Sequence, residues 1–385
     1  MDAGTNLTAL VVWSGFGLAV LFGAVAAKAN FCTMGAVSDV VNMGNWGRMR
    51  MWLLAMAIAI IGANALHAAG LVDLSKSIYQ RPNLPWLSAI VGGLCFGVGM
   101  TLGSGCVNKT LIRVGGGSLR SLVVLLVVAI TAYATIKGLF GQWRASWLDP
   151  VAINFGAHGM RGQDLPSLLA GLTGVAPRTA VVATAAALAG GLLLFVFKDA
   201  RFRRNRNQVM GGVAIGLLVT AGWYVSGHLG FGENPETLEM VYFATNTRAA
   251  ESFSFVAPAA YGLELFMLWT DKSLGMTFGI ASALGIVAGS FAYAIATRTF
   301  SLEGFASAGD TRNHLLGGAL MGFGGVTALG CTIGQGVTGL STLALGSIIT
   351  LLAIIAGAAA TMKYLYWREE REANRLEMNQ AGPAA

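Results

Sequence analysis

The chain has 385 residues, of which 55% are hydrophobic and only 11% charged, with 53 glycines, 8 prolines and a formal net charge of +7. Soluble domains carry about 25% charged residues, so the two soluble domains that this length allows are excluded, and the scarcity of proline excludes a Pro/Gly linker. A mean hydropathy of +0.64 with long apolar runs predicts a multi-pass membrane protein.

In chain order, nine apolar stretches predict helices, at about 7–27, 50–70, 87–104, 118–141, 178–197, 209–225, 273–296, 313–329 and 340–366. Several approach the roughly 20 residues that a hydrocarbon core requires; others are shorter and stop at glycines. The first ends in "GAVAAKA", which resembles a cleavage site. No basic region precedes it, since Asp2 is the only charge before Lys28, so it reads as a retained span. The segments 142–177 and 226–272 are too polar to span and are expected to cap the outer face. The second is acidic, with Glu233, Glu236, Glu239 and Glu251. "WREEREANRLEMNQ" alternates sign and is expected to extend the last helix into a cytoplasmic tail, 367–385.

Basic residues orient such a bundle. With nine spans and the N-terminus outside, 17 of the 25 lysines and arginines fall on the inner side. The densest run, "KDARFRRNRN" at 198–207, lies between two apolar stretches. It reads as a cytoplasmic loop anchored at lipid headgroups, not as a nucleic-acid site. The net charge therefore reflects topology.

A phrase recurs along the chain. "GGLCFGVGMTLGSGC" ends at Cys106 and "GGALMGFGGVTALGC" ends at Cys331; Gly92, Gly93, Gly97, Gly99 and Gly105 match Gly317, Gly318, Gly322, Gly324 and Gly330. A looser copy, "GAVAAKANFC", ends at Cys32. A fourth begins at Gly211 and puts Val225 in the cysteine's place. The first two copies follow inward-running spans and the last two follow outward-running spans. The whole chain, 1–385, then reads as one membrane domain: a first half at about 1–141, an outer linker at 142–177, and an inverted second half at 178–366. In transporters built this way, substrates bind near the midplane, where broken helices meet.

Glycine lets helices approach closely and lets the chain unwind beside a buried cavity. Close packing alone does not explain the polar residues after each cysteine: Thr33; Asn108, Lys109 and Thr110; Thr332 and Gln335. Loop N–H groups and half-helix N-termini present positive ends to an anion. The candidate site is therefore Cys32, Cys106, Cys331, Asn108, Lys109, Thr332 and Gln335, with Gly105, Gly330 and Gly334 supplying loop backbone. Cys95 matches Leu320 of the other copy and reads as an ordinary apolar thiol. No Cys/His spacing suits a metal, and the four histidines are scattered, so no metal or cofactor is expected. A thiol in an apolar constriction stays neutral, because a thiolate is poorly solvated there. It then serves as a soft, weak S–H donor suited to a sulfur anion.

At "KANFCTMGAVSD", "GSGCVNKTLIRVGGGSLRSL" and "GCTIGQGVTGLS" the chain resembles the YeeE/YedE family of bacterial inner-membrane sulfur transporters, over nearly its whole length. The resemblance implies an all-α integral membrane protein, an hourglass of nine transmembrane helices with re-entrant loops at its waist. It also implies uptake of thiosulfate by S–H···S contacts, with Cys106 near the outer mouth, Cys331 at the centre and Cys32 toward the cytoplasm. A small soluble TusA-like sulfur carrier is the implied partner. Some members are linked to selenium, and the long segments 142–177 and 226–272 set this chain apart from shorter members.

Two other readings compete. A membrane thiol oxidoreductase or sulfurtransferase needs a reactive thiolate and a resolving thiol, and neither CxxC nor a neighbouring His or Cys is present in sequence. A plain pore, with cysteines as small core residues, predicts harmless Cys→Ala changes. No GxxxxGK[ST] motif is present, so ATP hydrolysis is not expected.

Overall fold

The fold, a computed structural model, describes residues 3–380 except Arg161, Glu236 and Ala306. Glu236 of the acidic segment and tail residues 381–385 lie outside the described residues. The chain is an all-α integral membrane protein. Its principal helices are α1 (Ala3–Lys28), α2 (Thr33–Met43), α3 (Gly47–Ala68), α4 (Trp86–Leu102), α5 (Val107–Gly115), α6 (Leu119–Ile136), α7 (Pro177–Phe197), α8 (Arg206–Tyr224), α9 (Val256–Met267), α10 (Phe278–Ala296), α11 (Ala308–Thr327) and α12 (Leu345–Gln380).

Eight segments of the described residues are long and apolar enough to cross a membrane. They correspond to eight of the nine expected stretches. The ninth, 313–329, lies on α11. That helix is 20 residues long, but Asp310, Arg312, Asn313 and His314 make its first turns polar. Its packing is nonetheless central. The only strands among the described residues are two short antiparallel pairs, β1 (Asn83–Leu84) with β2 (Ile153–Asn154) and β3 (Phe231–Glu233) with β4 (Met240–Tyr242). They tie down the polar segments expected to cap one face.

Glycine sets the interhelical distances. A Cβ on Gly92 would stand 2.8 Å from the Gly324 carbonyl oxygen, and one on Gly99 would stand 2.7 Å from that of Gly317. These helices therefore touch backbone to backbone, which only glycine allows. The two contacts are also mates. In the repeated phrase Gly92 matches Gly317 and Gly99 matches Gly324, so one contact becomes the other when the copies are exchanged. α4 and α11 thus cross antiparallel about a local two-fold. The outer flanks match as well. Thr350, Ile354 and Ala358 of α12 pack on Gly93 and Gly97, as Val124, Val128 and Ala132 of α6 pack on Gly318 and Gly322.

α10 lies along α1, where Gly285 and Gly289 meet the backbone of Phe16 and Val20. α8 lies along α3, where Gly212 and Gly216 meet the carbonyls of Met51 and Ala55. α7 is the most peripheral span: Gly190 and Gly191 have open space around them.

This contrast gives a test. Gly324→Val should overpack α4 against α11 and cost about 1–3 kcal/mol, lowering the Tm of the detergent-purified protein. Gly190→Ala should leave it unchanged. Equal losses at both positions would contradict the packing account.

Candidate functional site

Three helices are interrupted in the same way. α1 ends two residues before Phe31, α4 ends before Gly103, and α11 ends before Ala328. After each, one residue takes the left-handed conformation: Asn30 (φ 50°), Ser104 (φ 55°) and Leu329 (φ 58°). Each stands two positions before a cysteine. The next residue's N–H then bonds back across the helix end: Phe31 to Ala26 at 2.9 Å, Gly105 to Met100 at 2.8 Å and Gly330 to Gly325 at 2.7 Å. This closes carbonyls that the helix end leaves open. The left-handed residue is therefore not Gly105 or Gly330 but the residue before it. A non-glycine there costs about 1–2 kcal/mol.

Each cysteine begins a second, short helix. Cys32 caps α2 and Cys106 caps α5. Cys331 opens the helical stretch 332–341, whose middle, Gly334–Gly339, is a π-turn. The Gly35 N–H donates to Cys32 Sγ at 3.4 Å, and the Gly334 N–H donates to Cys331 Sγ at 3.4 Å. All three thiols are buried, free of disulfides, and set at the positive ends of half-helices. The fourth copy lacks such a break. α8 runs through Val225 into a π-turn, Val225–Leu229, without a left-handed residue.

The breaks converge. The side chains of Cys32 and Cys106 lie beside each other. The buried Thr332 hydroxyl faces Cys106 without completing a well-aligned hydrogen bond to it. Cys331 reaches the pair through Thr332, its chain neighbour, and on its other side faces Tyr79 and the Phe255 backbone. The break before α5 brings the Cys106 side chain beside Cys32. The absence of a neighbouring cysteine in sequence was misleading, since two thiols from α2 and α5 meet in space.

Polar groups surround the thiols with capacity to spare. Thr33 Oγ1, Thr332 Oγ1 and both amide atoms of Asn108 are buried without a hydrogen-bond partner among the described residues. Buried polar atoms are nearly always paired, so these three residues retain unused hydrogen-bonding capacity. Gln335 does not join them. Its amide nitrogen donates to the Ala328 carbonyl and its oxygen accepts from Ser347 at 2.6 Å. It staples the break. Gly334 is required by crowding, because a Cβ there would lie 2.5 Å from Ser254 Oγ.

The charge at the site is positive. Lys109 and Arg113 both act on Cys32. Lys109 Nζ donates to Asn30 Oδ1 at 2.7 Å, and Arg113 donates to the Ser104 carbonyl at 2.9 Å. Each cation thus pins a left-handed residue. Arg48, paired with Asp39, lies against Gly35 beside Cys32. Arg48 and Arg113 escaped the sequence reading because neither sits in the repeated phrase. Among the described residues no group of His, Cys, Asp and Glu is arranged to hold a metal ion. Cys95 lies within α4, away from the breaks.

The remaining walls hold the stretch 332–341 in place. Thr338 donates to the Phe253 carbonyl at 2.7 Å, Asn64 donates to the Ser341 carbonyl at 2.9 Å, and Trp223 donates to Ser341 Oγ at 3.0 Å.

The sequence profile for sulphur transport matches residues 28–360, which take in all three breaks. The chain belongs to the sulphur transport family. It is 26% identical to the thiosulfate transporter TsuA of Escherichia coli strain K12, over 94% of this chain and 97% of that one. It is 25% identical to the thiosulfate transporter TsuA of Spirochaeta thermophila, over 93% of this chain and 100% of that one. A member of this family is a transporter, not an enzyme.

The thiol pair is directly testable. Mild oxidation of the purified protein should link Cys32 to Cys106, with the bridged peptide seen by mass spectrometry. Cys331→Ala should still form it. A bridge from Cys331 in preference, or none, contradicts the pairing.

Proposed function

We propose that the chain takes up thiosulfate across the bacterial inner membrane through the three helix breaks, with its N-terminus periplasmic and its C-terminus cytoplasmic. The observation that carries this reading is the run of buried thiols with orphaned polar groups beside them, at the positive ends of three half-helices. The names of the two relatives supply the substrate. The bias of basic residues toward one set of loops supports the orientation.

The relay runs from Cys106 near the outer mouth through Cys331 at the centre to Cys32 toward the cytoplasm, each thiol donating S–H to the terminal sulfur of the ion, with no covalent bond formed. Thr332, Asn108 and Thr33 hydrogen-bond its oxygens. Lys109 and Arg113 offset its charge. Several weak sites in a row allow both entry and exit. The self-matched contact of α4 with α11, and the matched contacts of α12 on α4 and of α6 on α11, support halves at about 1–141 and 178–366, inverted about the constriction. Arg201, Arg203, Arg204 and Arg206 border the inner mouth in this orientation, a suitable landing place for a TusA-like sulfur carrier.

The test is uptake by a bacterium deficient in sulfur sources and expressing this chain, supplied with thiosulfate, sulfate, sulfite or selenite. Thiosulfate alone should support growth. A hydrogen bond to a charged group contributes about 1.5–3 kcal/mol, so Cys32→Ala, Cys106→Ala and Cys331→Ala should each slow thiosulfate uptake about tenfold or more. Cys95→Ala should not. Unchanged uptake in all three variants would remove the relay, and uptake of labelled selenite in preference to labelled thiosulfate would change the substrate.

A further inference from the structure

A second cavity lies next to the constriction, in the outer segments that the relay does not use. It has a volume of about 250 Å³ and is lined by Tyr79, Arg144, Asn246, Glu251, Tyr261 and, at its base, Leu329 and Gly330, the two residues before Cys331. Its occupant therefore stands beside the break that leads into Cys331.

Glu251 is the unusual member. It lies in the loop between α8 and α9, outside the spanning helices. Its Oε1 is occluded and has no partner among the described residues, and its Oε2 only accepts from Thr247 at 3.4 Å. Its backbone is fixed on both sides, the N–H donating to Ser226 Oγ at 3.1 Å and the carbonyl accepting from the same hydroxyl. The Glu251 backbone is thus held in the wall, with Oε1 shut off from solvent.

The charged and titratable groups around it leave it uncompensated. Arg144, the cation in the lining, is paired with Asp149 at 3.1 Å. Tyr79, from the turn before α4, faces Glu251 on one side and Cys331 on the other. Tyr261, from α9, faces Glu251 with the Lys137–Glu264 ion pair behind it. From the π-turn after α8, Ser226 makes the backbone contacts, while His228 is bonded to the Leu71 carbonyl and stacked on Tyr224.

We propose that this cavity is an outer holding site for the sulfur oxyanion, and that it accepts the anion only when Glu251 carries a proton. The ionised carboxylate repels a dianion across a poorly solvated space, where charges interact strongly. The neutral acid turns the same group into an O–H donor for one of the anion's oxygens, beside the N–H groups of Arg144 and the hydroxyls of Tyr79 and Tyr261. Burial raises the Glu251 carboxyl to about 8, so it is neutral below that pH and charged above it. Entry therefore weakens as the outer pH rises. The inference rests on the thiosulfate reading for its ligand and on the cavity for its geometry.

Thiosulfate uptake into proteoliposomes at varied external pH is the test. The wild-type initial rate should fall about tenfold between pH 7 and pH 9, following the protonated fraction of one carboxyl. Glu251→Gln, which keeps a neutral donor, should transport at pH 7 and show no such fall. A wild-type rate that is flat with pH, or a Glu251→Gln variant that falls as the wild type does, overturns the proposal. So does a Glu251→Gln variant that folds, shown by an unchanged Tm, yet fails at every pH. If the wild type moves no thiosulfate at all, the substrate reading fails, and infrared spectroscopy still decides the proton site. The carbonyl band of a protonated carboxyl should be present at pH 7, vanish above pH 8 to 9, and be missing from Glu251→Gln. Its absence from the wild type at pH 7 overturns the proposal independently of transport.

Discussion

Backbone contact between α4 and α11 is the constraint on which the rest of the molecule depends. In lipid, apolar side chains gain little by leaving hydrocarbon for protein, so helices associate through close packing and through polar contacts that lipid cannot offer. Gly92 on Gly324 and Gly99 on Gly317 provide that packing in a form that is its own mate. Crossing the two copies antiparallel sets their C-terminal breaks at opposite ends of the α4–α11 contact. A side chain at any of these four glycines would separate the helices and pull the breaks apart.

The breaks are costly, and the cost is local. Each ends a helix in a setting where unpaired backbone groups are poorly tolerated, and each places a non-glycine residue in the left-handed region. The surrounding structure offsets this with dedicated contacts: Lys109 on Asn30, Arg113 on the Ser104 carbonyl, and Gln335 on the Ala328 carbonyl. Residues of charged and polar type are thereby spent on shape. Those left without partners, Thr33, Asn108 and Thr332, are the ones that touch the thiols' surroundings. This division between residues that build the breaks and residues that face the passage is the chemical content of the site. It is also the reason that replacing Gln335 and replacing Asn108 have different meanings, the first disturbing geometry and the second removing a contact.

Much of this was legible in the sequence because glycine and cysteine recur at fixed spacing. The apolar helices, the paired phrases and the equivalence of three cysteine positions follow from pattern alone, although only eight of the nine expected spans are long and apolar enough to cross among the described residues. Other features were hidden for physical reasons. Nothing in composition tells that the left-handed residue is Ser104 or Leu329 in preference to the adjacent glycine, since long-range contacts override local preference there. Gln335 has the same polar character as Asn108, yet Gln335 is tied to Ala328 and Ser347 whereas the Asn108 amide has no partner among the described residues. The adjacency of Cys32 and Cys106 joins two segments far apart in the chain, and a repeat alignment gives equivalence without distance. Glu251 sits in a segment whose acidity suggested a solvated cap, whereas its carboxyl is folded into a cavity wall.

The central claim is that a sulfur anion passes within touching distance of all three thiols. Protection from a small membrane-permeant thiol reagent tests it most directly, with labelling of each cysteine followed by mass spectrometry in the presence and absence of thiosulfate. The account predicts that thiosulfate slows labelling of Cys331, Cys106 and Cys32 together while leaving Cys95 unchanged. Labelling of the three at the same rate with and without the ion would contradict it.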